Sequence, residues 1–108
     1  MTIYKAGDVV LVPYPFSDLS GVKQRPALVV ASFDELNEAI CMMLTSQFKG
    51  GKFEYTIENW KEAGLLVPTV ARISRLFTMD YKIIRKKIGR LSNQELRNIL
   101  LEFNIMCF

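Results

Sequence analysis

Arg25 stands directly before Pro26 and the apolar run Ala27-Leu28-Val29-Val30-Ala31. A residue that precedes proline is driven into extended backbone, and proline itself is tolerated at the first position of a strand. The sequence therefore sets Arg25 at the mouth of a buried strand, just after a polar loop. Its guanidinium offers a planar fork that matches a phosphate with two parallel hydrogen bonds; the plain alternative is an arginine facing solvent at a strand edge. Thr45-Ser46-Gln47 ends a second apolar run, Ile40 to Leu44. Two hydroxyls and an amide emerge there from the core and can bond a phosphate or a base edge, or else form a strand-end turn that satisfies its own backbone. Arg85, Lys86, Lys87 and Arg90 make a basic cluster, either a solvated strand face or a groove that tracks phosphates. Tyr14, Phe16 and Phe48 lie near polar loops, where aromatic rings stack on bases or fill a core.

What the chain lacks narrows the chemistry. It has no histidine, which excludes imidazole acid–base catalysis, serine and cysteine nucleophiles activated by histidine, and histidine-ligated zinc. Cys41 and Cys107 are too few for a four-cysteine metal site or a disulfide framework. No glycine-rich phosphate loop of standard spacing is present. No metal and no cofactor are expected. The formal charge of +3 and an isoelectric point near 9.0 lean toward a polyanionic partner.

These side chains need a scaffold. At 108 residues, 50% apolar and 23% charged, the chain is expected to be one globular domain, residues 1–108, and not a disordered segment. No apolar run approaches the ~20 residues of a membrane span, and no basic-then-apolar leader opens the sequence, so a cytoplasmic protein with reduced thiols is expected. Val9 to Val12 reads as a short strand that stops at Pro13-Tyr14-Pro15. Ala27 to Ala31 and Ile40 to Thr45 read as strands buried on both faces. Lys49 to Lys52 is a turn, and Phe53 to Ile57 alternates like a strand with one wet face. Glu58 to Gly64 is a helical turn or a loop. Leu65 to Ile73 and Ile83 to Ile88 are further strands. Ser92-Asn93-Gln94-Glu95 fits a reciprocal capping box, and Leu96, Ile99, Leu100 and Phe103 follow at helical spacing, which predicts a helix from Asn93 to Phe103. Ile105 to Phe108 remains as an apolar tail tucked against a neighbour. Many short strands and one terminal helix predict a small, bent barrel of mainly β class.

Five segments together resemble the MazF/PemK (Kid) family of toxin endoribonucleases. They are Gly7 to Phe16, Arg25 to Val30, Thr45 to Gln47, Val70 to Ile73 and Lys87 to Ser92, in order and in register over nearly the whole chain. The resemblance implies a compact SH3-like barrel with a C-terminal helix, a homodimer, cleavage of single-stranded RNA, and neutralisation by a cognate antitoxin. It implies Arg25 and Thr45 as catalytic residues. It implies a substrate-binding set of Phe16, Ser17, Asp18 and Gln24 in the early loop, Ser46 and Gln47 after the second strand run, and Arg72 with Ser74. The chain carries Ser74 where some members have a carboxylate, has no histidine in the early loop, and lacks the carboxylate that some place beside the Arg25 equivalent.

RNA is cleaved without metal when its own 2′-hydroxyl attacks the adjacent phosphorus. Arginine holds its proton too firmly to be the base, so Arg25 is assigned to stabilising the charge that gathers on the phosphorane oxygens. Thr45 donates to the same phosphate. Asp18, the one acidic side chain of the early loop, is the candidate base. The alternatives are an inactive RNA- or antitoxin-binding module on the same barrel, and a structural dimerisation domain.

Overall fold

A computed structural model of the chain describes residues 3–14 and 23–108. Among the described residues six strands, β1 (Asp8–Tyr14), β2 (Lys23–Phe33), β3 (Glu38–Thr45), β4 (Glu54–Thr56), β5 (Val70–Asp80) and β6 (Lys86–Arg90), precede one α-helix, α1 (Asn93–Cys107). They form a single antiparallel sheet in the order β4-β5-β3-β2-β1-β6. Three register shifts bend it: at Val9/Val10 against β6, at Val29/Ala31 against β3, and at Met42/Leu44 against β5. Bulges of this kind increase local twist and curl a sheet toward a barrel.

The bent sheet has a core on each face, as the unbroken apolar runs predict. Successive strand residues point to opposite sides. Leu28 therefore packs with Val9, Met42, Leu44 and Ile73 in one cluster. Its neighbours Ala27 and Val29 pack with Val10, Val12 and Cys41 in the other. Ile99 of α1 closes the first cluster, with Ile57 and Leu65 from the segment between β4 and β5. Tyr4, Tyr81 and Ile84 close the second.

Pro13 and Pro26 sit where a donor is dispensable. β1 runs on through Pro13 to Tyr14 instead of stopping before it, because β6 pairs with β1 only as far as Leu11. Pro13 faces Gln24 of β2 alone. Pro26 is likewise the fourth residue of β2, not the first, and lies just past Ala27, where the β3 ladder ends. A strand with one neighbour tolerates a missing N–H.

Other boundaries differ from expectation too: β2 and β3 run two residues further into their shared hairpin, to Phe33 and from Glu38. β5 begins at Val70, since Leu65 to Thr69 leaves the sheet as a loop, and it continues across a bulge to Asp80. β6 covers Lys86 to Arg90, with Tyr81 to Ile83 forming a turn. α1 does not stop at Phe103. Met106 extends the Leu96, Ile99, Phe103 stripe by three residues and packs on the same core, so the tail is the last turn of the helix. Leu100 lies on the flank of that stripe and is partly exposed.

The outer edge of β6 abuts the loop that precedes β5. A Cβ at Gly64 would lie 2.1 Å from the Ile88 carbonyl oxygen, and one at Gly89 would lie 2.0 Å from the Ala63 carbonyl oxygen. Only glycines allow this approach, and Gly64 also has φ +88. The contact fixes the Gly64 to Val67 segment against β6, where it becomes a wall of the site.

Candidate functional site

At the end of the sheet where the β2–β3 ladder stops, a cleft of about 480 Å³ opens to solvent. Leu11, Pro26, Leu44, Leu65 and Ile88 give it apolar surface. Gln24, Arg25, Thr45, Ser46, Gln47 and Arg72 line it as well. Six of the ten site residues expected from sequence therefore meet in one place. Ser74 is exposed and does not line the cleft. Phe16, Ser17 and Asp18 lie outside the described residues.

Strand register explains the meeting. β2 and β3 pair Leu28 with Met42 and Ala27 with Met43. Continuing that register two places past the last ladder pair carries Arg25 of β2 and Thr45 of β3 to the same end of the sheet, and both line the cleft. Arg25 is held from its other side by pairing with Val12 of β1. Thr45 is held by pairing with Val70 of β5. Both backbones are thus fixed, while the exposed Arg25 side chain reaches into the opening.

Thr45 Oγ1 accepts a hydrogen bond of 3.1 Å from the Gln47 N–H. This is the strand-end turn, and it is compatible with a functional hydroxyl. The bond uses an oxygen lone pair and leaves the hydroxyl hydrogen available to donate. It also orients the threonine and draws Ser46 and Gln47 around the rim.

Two cations that sequence reasoning missed line the same cleft, Lys49 and Arg75. Lys49 lies in a turn pinned by Glu54, whose carboxylate accepts from Lys49 N–H at 3.1 Å and Gly50 N–H at 3.0 Å. The Lys-Gly-Gly-Lys turn four residues past Thr45 was the available signal. Arg75 arrives through a β5 bulge, which is set by pairing across strands and leaves no local mark. Arg25, Lys49, Arg72 and Arg75 thus face a cleft lined by no carboxylate among the described residues.

The basic cluster near β6 has a different task. Arg90 Nη1 and Lys87 Nζ both reach Asp8 Oδ1, at 2.9 and 3.1 Å, and Asp8 is buried. Neither cation lines the cleft. Their charge is spent in joining the start of β1 to the end of β6.

Comparison with known proteins follows the same outline. The family described as PemK-like, MazF-like toxin of type II toxin-antitoxin system matches residues 5–107. No curated protein matches the chain. Among solved structures, a MazE-MazF structure from Deinococcus radiodurans is similar with a TM-score of 0.81 and 20% identity, over 98% of this chain and 97% of that one. A mycobacterial endoribonuclease in complex with its cognate antitoxin gives 0.74 and 11%, over 95% and 93%. The Mycobacterium tuberculosis toxin MazF-mt6 gives 0.70 and 18%, over 89% and 90%. At such identities the likeness is one of fold.

Proposed function

Since the chain belongs to the PemK-like, MazF-like toxins of type II toxin-antitoxin systems, we propose that it is an endoribonuclease that cleaves single-stranded RNA without a metal ion. The observation that carries this reading is that Arg25 and Thr45, on the adjacent strands β2 and β3, both line one open cleft with cationic lining.

A base takes the proton of the 2′-hydroxyl, and the 2′-oxygen forms a bond to phosphorus. Charge gathers on the non-bridging oxygens of the phosphorane. Arg25 offers its fork to those oxygens, and the Thr45 hydroxyl donates to one of them. Donors fixed before the reaction stabilise such a state without reorganising. The bond from phosphorus to the 5′-oxygen then breaks, and that oxygen takes a proton. The products are a 2′,3′-cyclic phosphate and a 5′-hydroxyl. Asp18 is proposed as the base. Arg72, Gln24, Ser46 and Gln47 hold the strand on either side; Phe16 and Ser17 of the early loop are proposed as further substrate contacts, whereas Ser74, outside the cleft, is given no role.

A homodimer and a cytoplasmic setting belong to the same proposal, as does a cognate antitoxin. The antitoxin's recognising segment is expected to be acidic and to order on the cationic cleft, competing with RNA for the same charges.

The test is cleavage of a long defined single-stranded RNA by wild type, Arg25→Ala and Thr45→Ala, each with chelator present, with the product ends identified. Wild type is expected to cleave in chelator and leave cyclic phosphates. Each substitution is expected to lower kcat by about 10²–10³, the usual loss of one such donor. Equal rates for both variants and wild type would defeat the assignment, and abolition by chelator would defeat the metal-free route. RNA retained in gel shifts by a wild type that never cleaves would establish the binding module instead, a reading favoured by the absence of a carboxylate from the described cleft lining.

A further inference from the structure

On β3, Met43 alone separates Met42, opposite Leu76, from Leu44, opposite Ala71. On β5 the same interval holds Arg72, Ile73, Ser74 and Arg75. A common bulge sets two residues against one; here four stand against one. Ile73 anchors the excursion. It is buried in the first core cluster, and its N–H donates to the Phe53 carbonyl at 2.9 Å. With Ile73 fixed inward, Arg72 and Arg75 both reach the cleft wall, while Ser74 stays outside it.

Arg75 is exposed, and no ion pair engages it among the described residues. It leaves the sheet beside Met43, two residues inward from Thr45. At the usual strand rise, that is about 7 Å along β3 from the level of Arg25 and Thr45. A phosphodiester carries one negative charge, which Arg25 and Thr45 already address. A second guanidinium displaced along the strand matches the next phosphate of the same chain better than it matches the first.

We propose that Arg75, carried into the cleft by the β5 bulge, binds the phosphate adjacent to the scissile one and acts as a substrate-binding residue that takes no part in the bond changes. The inference rests on the endoribonuclease reading and adds the placement of the flanking backbone. Arg75 then contributes to affinity and to its salt dependence, whereas Arg25 contributes to turnover.

The test compares wild type, Arg75→Ala, Arg75→Lys and Arg25→Ala. Binding of a labelled single-stranded oligodeoxynucleotide, which lacks the attacking hydroxyl, is measured by anisotropy over a range of salt. Steady-state cleavage of the matching RNA is measured in parallel. Arg75→Ala is expected to flatten the slope of log affinity against log salt by about 0.7, the share of one single-strand phosphate contact, and to raise KM roughly tenfold with kcat held within a few-fold. Arg75→Lys is expected to restore the slope, because the charge is kept. An unchanged slope and KM in Arg75→Ala, or a fall in kcat matching that of Arg25→Ala, overturns the proposal and leaves the endoribonuclease reading standing. A wild type that neither binds nor cleaves overturns both.

Discussion

Cys41 and Cys107 carry the same thiol in opposite surroundings. Cys41 sits in the second core cluster with no exposed surface, and burial pushes its thiol up to about 12. Cys107 is exposed at the end of α1. The thiolate is the reactive form, so in the native protein one thiol per chain is expected to react rapidly with a disulfide reagent at neutral pH, and the second only after denaturant is added. Two rapid equivalents would contradict the burial of β3. The same residue sets an alkaline limit. Its acidity is lower folded than unfolded, so the unfolded chain releases its proton first as pH rises past 9. The contribution of the buried thiol to stability is therefore full below about pH 9 and is lost toward pH 12, with Tyr4, Tyr55 and Tyr81 adding to the loss in the same direction above 10 because burial raises them as well. Single residues also show what sequence can and cannot disclose about the site. Arg25 and Thr45 stood out because each adjoins the end of an apolar run, marked at Arg25 by the proline that follows it. Lys49 had only its glycine-rich neighbours four residues past Thr45 as a signal, and Arg75 had none, so that the fold alone brings it to the cleft. Lys87 and Arg90 looked equally available, but their partner Asp8 lies some eighty positions away and nothing local announces the pairing.

Elements were legible where one periodicity governed them, and boundaries shifted where a distant contact decided. α1 illustrates both. Ser92 accepts from the Glu95 N–H at 3.2 Å, which is one half of the expected capping box. The other half is absent: the Glu95 carboxylate turns away and accepts from Asn59 N–H at 2.8 Å and Glu58 N–H at 3.2 Å. Glu95 thus ties the helix start to the turn that leads into Gly64 and the cleft wall. A carboxylate that serves two backbone donors thirty-six residues away cannot be inferred from a four-residue motif. The difference is measurable. Ser92→Ala removes one cap bond and is expected to cost about 1 kcal/mol. Glu95→Ala strips two partly buried N–H groups of a charged acceptor and is expected to cost roughly 2–4 kcal/mol, since each unsatisfied donor carries its own desolvation penalty. Urea denaturation of the two variants checks the order, and a loss in Glu95→Ala no larger than that in Ser92→Ala would mean that the two Glu95 bonds to the turn are together worth no more than one cap bond. β5 was misplaced for a related reason. Its start depends on where Thr45 pairs, and its length depends on a bulge of three surplus residues; neither leaves a pattern in the residues themselves.

At the scale of the whole molecule, a modest net charge of +3 conceals an uneven distribution. The cleft gathers four cations without an opposing carboxylate among the described residues, while the cluster near β6 is partly neutralised at Asp8. The excess positive charge therefore lies where the proposed substrate binds. The apolar surface is uneven too. Leu101 and Ile105 of α1 and Phe108, its C-terminal cap, recur at i, i+4 and i+7 and are 57%, 69% and 96% exposed. Spacing of four and three sets them on one helical face, the face opposite the one that packs on the core. An exposed apolar stripe of this kind usually marks an interface, and the proposed homodimer gives it an occupant, a second copy of the chain. Sedimentation at micromolar concentration is expected to show a dimer. Ile105→Glu is expected to shift it to monomer, because a carboxylate buried without a partner is costly. The helical circular dichroism should be unchanged, since Ile105 makes no core contact in its own chain. A wild type that stays monomeric would remove the dimer from the proposal. A dimer that survives Ile105→Glu would keep it and place its interface away from the end of α1.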